Sequence, residues 1–78
     1  MPKLPRASGD KHIRTFQKAG WTINHIEGSH HILVKEGSQY HLSVPVHSGK
    51  DMGVGLLKRL IKMAGLTTEE YCILFYEK

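Results

Sequence analysis

The hydrophobic period of the chain changes twice, and that pattern constrains the fold more than any other feature. Between Trp21 and Pro45 three short runs, WTINHI (21–26), HHILVKE (30–36) and YHLSVP (40–45), are rich in β-branched and aromatic residues. Glu27-Gly28-Ser29 and Gly37-Ser38-Gln39 punctuate them, so the spacing predicts an antiparallel three-stranded meander. On either side the period lengthens to that of a helix. Ile13, Phe16 and Ala19 repeat at helical spacing, with Ser8 as the expected N-cap, Asp10 in the first turn and Gly20 as the stop. Leu56, Leu57, Leu60, Ile61 and Ala64 form the apolar stripe of a second helix over about 53–64, ended by Gly65. Thr67 and Glu70 have capping-box spacing and open a short terminal helix holding Tyr71, Leu74 and Phe75. The expected class is α+β in the order α-β-β-β-α, with a short C-terminal helix and both main helices on one face of the sheet.

Within the meander, Tyr40, Leu42 and Val44 alternate with His41 and Ser43, which predicts one buried and one wet face for the third strand. Ile32, Leu33 and Val34 are consecutive, so period alone leaves the inward face of the second strand undecided. The 78 residues fit one domain, 1–78, with 1–8 as an extended arm and 67–78 as a helical tail. The apolar residues that recur in that tail read as packing rather than as a partner contact. No apolar run nears the roughly 18 residues of a membrane span, and no signal peptide opens the chain. The single cysteine, Cys72, forms no internal disulfide, and the cytoplasm is the expected compartment.

The charge is uneven. The net formal charge is +4, but residues 1–66 carry ten Lys or Arg against four acids, whereas 67–78 carry one Lys and three acids. Lys11, Arg14 and Lys18 make a basic stripe on the solvent side of the first helix, and Lys58, Arg59 and Lys62 lie opposite the apolar stripe of the second. A small basic domain attracts nucleic acid electrostatically, although such a surface also serves solvation alone.

Six histidines in so short a chain raise metal binding, acid–base chemistry and surface decoration together. The chain has no CxxC, no HExxH and no helical His pair at i, i+4, and His30 and His31 are adjacent on a strand, so a metal site is not expected. It also has no GxSxG elbow and no glycine-rich phosphate loop, and Cys72 sits in an amphipathic stretch where a free cysteine usually packs as a small hydrophobe. What is left is a histidine acting on a substrate held by cations. RNA suits such equipment because its own 2′-OH is the nucleophile; the protein need only move protons and stabilise charge. His12 lies on the first helix, and His25 and His41 fit the exposed sheet face. Gly28-Ser29 delivers His30 at the start of the second strand, though spacing alone reads it first as an exposed turn residue. His47 falls in a polar loop expected near the start of the second helix, where amides can hold a phosphate.

The sequence resembles the HicA (YcfA-like) family, the small toxins of bacterial and archaeal toxin–antitoxin pairs. Four ordered pieces carry the resemblance: Lys18-Ala19-Gly20-Trp21 closing the first helix, Gly28-Ser29-His30-His31, Val44-Pro45-Val46-His47, and Ala64-Gly65-Leu66 closing the second helix. Together they span about residues 8–70. The resemblance implies a double-stranded-RNA-binding-domain-like fold and a metal-independent, cofactor-free endoribonuclease that cleaves mRNA and arrests growth. It implies that the catalytic histidine is the one following Gly-Ser, here His30. His31, Ser29 and His47 are possible secondary residues, and His31 is the neighbour most easily confused with His30. It further implies a HicB-type antitoxin that covers the site. On the ribonuclease reading, the basic faces of the two helices, Lys11, Arg14, Lys18, Lys58, Arg59 and Lys62, are the expected RNA contacts. The chain departs from the family where members often have Gly-Thr at the start of the second helix, since it reads Gly55-Leu56 there. The alternative is a non-catalytic RNA-binding domain of the same fold. Such domains place a dense lysine cluster before the second helix, and here only Lys50 precedes Lys58. A protein-interaction domain without an RNA role is a third reading.

Overall fold

A computed structural model describes residues 3–77, so Met1 and Pro2 of the expected arm and Lys78 of the expected tail lie outside the described residues. The elements run α1 (Gly9–Lys18), β1 (Thr22–Glu27), β2 (His30–Val34), β3 (Leu42–Pro45), α2 (Val54–Met63) and α3 (Thr68–Tyr76). This is the expected α-β-β-β-α order with its terminal helix. The sheet is an antiparallel meander in the order β1-β2-β3.

Register settles which way β2 faces. Leu33 pairs with Leu42 and His31 with Val44. Leu42, Val44 and Leu33 are fully buried under the helices, so His31, two residues before Leu33, shares their covered face. His30 and Ile32 point the other way. Both main helices lie over β3 rather than β1. Every residue of β1 is exposed in consequence, including Ile23 and Ile26.

The third strand is shorter than its alternation predicts. Tyr40, expected on the buried face, is exposed, and the ladder starts only at Leu42. The amide of Tyr40 donates to the Ser38 hydroxyl (3.2 Å) and that of Ser38 to the Lys35 carbonyl (3.0 Å). This local turn takes Tyr40 out of strand pairing. Ser8 caps α1 through its backbone rather than its side chain. Its carbonyl accepts from the amides of Lys11 and His12, while its hydroxyl donates to Asp10 (2.5 Å). The capping box at the start of α3 forms as predicted: the Glu70 amide donates to the Thr67 hydroxyl (3.0 Å) and the Thr67 amide to the Glu70 carboxylate (2.9 Å).

The core gathers Ile13 and Phe16 from α1, Trp21, the inner sheet residues, Leu57, Leu60 and Ile61 from α2, and Tyr71 and Cys72 from α3. The terminal helix is therefore a packed layer, as the apolar recurrence in the tail predicts. The N-terminal segment is packed as well: Leu4, Pro5 and Ala7 are buried, and the Ala7 carbonyl accepts from the Met52 amide at 2.9 Å.

One contact sets the approach of α1 to the sheet. A Cβ built on Gly9 would stand 2.1 Å from the Pro45 carbonyl oxygen, so only glycine lets the start of the helix rest on the end of β3. Gly9→Ala must push backbone from backbone and is expected to cost about 1–3 kcal/mol, the range for overpacking. Thermal unfolding should register this as a fall of roughly 4–8 °C per kcal/mol; an unchanged melting temperature would contradict the contact.

Candidate active site

The Gly-Ser pair singled out in the sequence forms the hairpin joining β1 to β2. It is a two-residue loop, Gly28-Ser29, with Gly28 at φ +58° and open space around its Cα. Glycine is therefore required for the left-handed backbone rather than for room. The loop ends on His30 and His31, and the strand pleat sends their side chains to opposite faces.

The two histidines consequently have different surroundings. His30 is exposed on the open face, opposite Glu27 on one side and Pro45 on the other. The Glu27 carboxylate already meets the Nε2 of His25 at 3.0 Å, and the Nδ1 of His25 lies 2.6 Å from the Asn24 side-chain oxygen. His31 is half-buried on the covered face between Ile26 and Val44, and its Nδ1 is buried without a hydrogen-bond partner among the described residues. A buried polar atom left unpaired is unusual enough to require a reason. Ser29 connects this hairpin to the other end of the motif set. Its carbonyl accepts from the Val46 amide at 2.7 Å, so Gly28-Ser29-His30-His31 and Val44-Pro45-Val46-His47 are neighbours in space.

His47 is displaced from the position expected of it. It lies in a groove of about 730 Å³ with Ser8, Asp10, Val46, Lys50 and Asp51, at the N-terminus of α1 rather than of α2. Ser8 pairs with Asp51 across this groove and draws the 46–51 loop to α1. The Ser8 hydroxyl holds the Asp10 carboxyl below its usual range. With Asp10 and Asp51 both present, the groove opposes a phosphate more than the loop composition implied.

The expected RNA contacts fall on two separate helices. Lys58, Arg59 and Lys62 are exposed on α2. Lys11, Arg14 and Lys18 are exposed on α1 and line a groove against α3. Lys18 is partly committed: its Nζ donates to the carbonyls of Leu74 (2.9 Å) and Glu77 (2.5 Å), which caps the end of α3. Cys72 is buried, with its Sγ 3.7 Å from the Lys3 carbonyl. Among the described residues, no cluster of three or more His, Cys, Asp or Glu side chains is arranged to hold a metal ion, and no helix is long and apolar enough to cross a membrane.

One chemistry-bearing residue was missed in the sequence. His12 is completely buried, its Nδ1 hydrogen-bonded to the Tyr71 hydroxyl and its Nε2 without a partner among the described residues. Its spacing held the signal, since Gly9, His12, Ile13 and Phe16 lie on one helical face. Burial lowers the His12 pKa below the ordinary 6.5, and the Asp51 carboxylate and Ala7 carbonyl offset part of that effect. Burial also raises the Tyr71 phenol far above its usual value, so the pair is neutral near pH 7.

These features define a class: a small basic α+β domain whose glycine hairpin presents two histidines at the end of the sheet. The family model for the HicA toxin of bacterial toxin–antitoxin pairs matches residues 9–66. The chain belongs to the HicA toxin family, and membership implies an antitoxin partner. No curated protein sequence matches it.

The buried His12 makes stability depend on pH. An unfolded chain takes up a proton near pH 6.5, while folded His12 resists until lower pH. The unfolded state binds more protons between those values, so stability falls as pH drops through that window. Melting temperatures measured from pH 7.5 down to 5.0 should decline in the wild type and decline less in His12→Gln; parallel curves would refute the assignment.

Proposed function

We propose that this toxin is an endoribonuclease that cleaves mRNA without a metal ion, using one histidine of the Gly28–His31 hairpin as general acid/base. The observation that carries the reading is the environment of His31. His31 is paired between Ile26 of β1 and Val44 of β3, its side chain is half-buried, and its Nδ1 lacks a partner among the described residues. A proton-transfer group works best when packing restricts its orientation and leaves one ring nitrogen within reach of substrate. With Nδ1 turned into the protein, Nε2 is the nitrogen of the half-buried His31 that meets the 2′-OH. The resemblance puts this role on His30, which is exposed and whose side chain makes no hydrogen bond among the described residues. The geometry favours His31, with His30 as the competing assignment.

In the proposed reaction the neutral imidazole accepts the proton of a ribose 2′-OH while that oxygen attacks the adjacent phosphorus. The bond from phosphorus to the 5′-oxygen breaks, and the proton passes to that leaving oxygen. The products are a 2′,3′-cyclic phosphate and a 5′-hydroxyl end. DNA lacks the nucleophile and is not cut by this route. Ser29 holds the hairpin to Val46, and exposed cations of α1 and α2 draw in the polyanion. Neutralisation by a HicB-type antitoxin that covers the hairpin, and action in the cytoplasm, complete the reading.

A non-catalytic RNA-binding domain is the alternative. The start of α2 argues against it, because Val54–Met63 opens without a lysine before Lys58.

Single-stranded RNA incubated with the purified protein, with and without EDTA, should be cleaved equally. His31→Ala should lower the rate by about 10²–10⁴, the usual contribution of a positioned acid/base group, with an unchanged circular-dichroism spectrum. Loss confined to His30→Ala would transfer the role to that residue. Duplex binding without cleavage would support the alternative.

A further inference from the structure

The proposed reaction uses the sheet end of the molecule, and beyond the general attraction of its cations for a polyanion the seam between α1 and α3 is given no part in it. Helix α3 also lies beyond the stretch that matches the family, residues 9–66. Two attachments hold it against α1. The His12–Tyr71 hydrogen bond lies in the interior, and Lys18 bonds to the carbonyls of Leu74 and Glu77 at the surface.

Between these attachments runs a groove of about 310 Å³, lined by Lys11, Arg14, Thr15, Lys18 and Phe75. Three cations at i, i+3 and i+7 form one wall, and among the described residues no carboxylate lines the groove. Asp10, one turn before Arg14, is near enough to feel its charge but is not part of the lining. The Thr15 hydroxyl is turned inward and donates to the Lys11 carbonyl at 3.1 Å. The other side is the half-buried Phe75. Its ring is braced by His12 (centroids 5.6 Å apart), by Tyr71 (6.4 Å) and, in a T-shaped pair, by Tyr76 (5.0 Å). Phe75 is thus a held aromatic ring bordering an open, cationic groove.

We propose that this groove is a subsite for one nucleotide of a single-stranded RNA, with its base on Phe75 and its flanking phosphates on Lys11 and Arg14. The proposal rests on the RNA reading of the preceding subsection. Alternation of a flat apolar group with negative charge is the chemistry that an aromatic ring beside cations recognises, and it is how single strands are generally gripped. An acidic peptide would satisfy the cations but leave the ring without a counterpart. A duplex keeps its base faces stacked internally and offers Phe75 none. Lys18 acts as a positioning residue, because its bonds to α3 set the width of the groove.

The test is fluorescence anisotropy with a labelled 2′-O-methylated oligoribonucleotide of about eight nucleotides, within the usual span of single-strand sites; it lacks the 2′-OH and cannot be cut. Phe75→Leu, which keeps an apolar side chain in the seam, should weaken binding at least about fivefold, the lower end for loss of one stacked base. Arg14→Gln, at an exposed position, should weaken binding and reduce the slope of log K against log salt by about 0.7, the value for one phosphate on a single strand. Both variants should melt like the wild type. Phe75→Leu binding as tightly as a wild type that does bind RNA would overturn the subsite and leave the ribonuclease reading standing. Wild type that binds no strand at all would overturn both. If Phe75→Leu melts early, Arg14→Gln decides alone: an unchanged affinity and salt slope overturns the subsite. Displacement of the strand by polyglutamate, with no dependence on Phe75, would identify the groove as an acidic-peptide site and likewise overturn it.

Discussion

The close approach of α1 to the end of β3 is the constraint from which the functional end of the molecule follows. With no Cβ on Gly9, the helix start rests on the Pro45 carbonyl. The next residue, Val46, donates its amide to Ser29, which ties the strand end to the histidine hairpin. Ser8 pairs with Asp51 and thereby brings the His47 loop to the same corner. Two side-chain-free contacts and one backbone hydrogen bond therefore bring together segments that are nearly twenty residues or more apart in the chain. Backbone contacts of this kind are stiff, because they carry no rotamers to relax.

The interior of the α1–α3 seam follows a different logic. A histidine and a tyrosine are buried there among Phe16 and Phe75, at the expense of desolvating two polar groups. Their mutual hydrogen bond offsets part of that cost, but the unpaired Nε2 of His12 leaves the account open. The pair binds a helix outside the family-matched region to the first helix of the domain. It also makes the attachment sensitive to protonation, because an imidazolium is poorly tolerated in that setting.

The sheet is covered unequally, and this separates its two histidine environments. Helices pack over β3, and Leu33 on the inner side of β2 is buried in the same core, while β1 projects beyond them. His31 stands at the border of the covered region, shielded at one nitrogen; His30 stands on the open face among His25 and Glu27. One residue of register is the whole difference between them. A step along a strand exchanges its faces, so adjacent histidines can have unlike chemistry without any change in local composition.

Much of the fold was legible because it is governed by short-range rules. The helical spacing of Ile13 and Phe16, the stripe from Leu56 to Ile61, the Gly28 turn and the Thr67–Glu70 capping box each depend on residues a few positions apart, and all appear as predicted. Tyr40 was misread because a side chain two residues away, Ser38, competes for its amide, and alternation of polarity does not register that competition. His12 was legible in principle from its place beside Ile13 and Phe16, but its partner Tyr71 lies 59 residues on. The same holds for Lys18, whose side chain looks like a free surface cation until α3 folds back to it. The sequence by itself determined the elements, their order, and which hairpin carries paired histidines. Only the tertiary structure decided which of those histidines is sheltered, which helix end His47 adjoins, and that α3 closes a cationic groove on α1. The first set depends on local periodicity and turn conformation, whereas the second depends on strand register and on contacts between residues far apart in the chain.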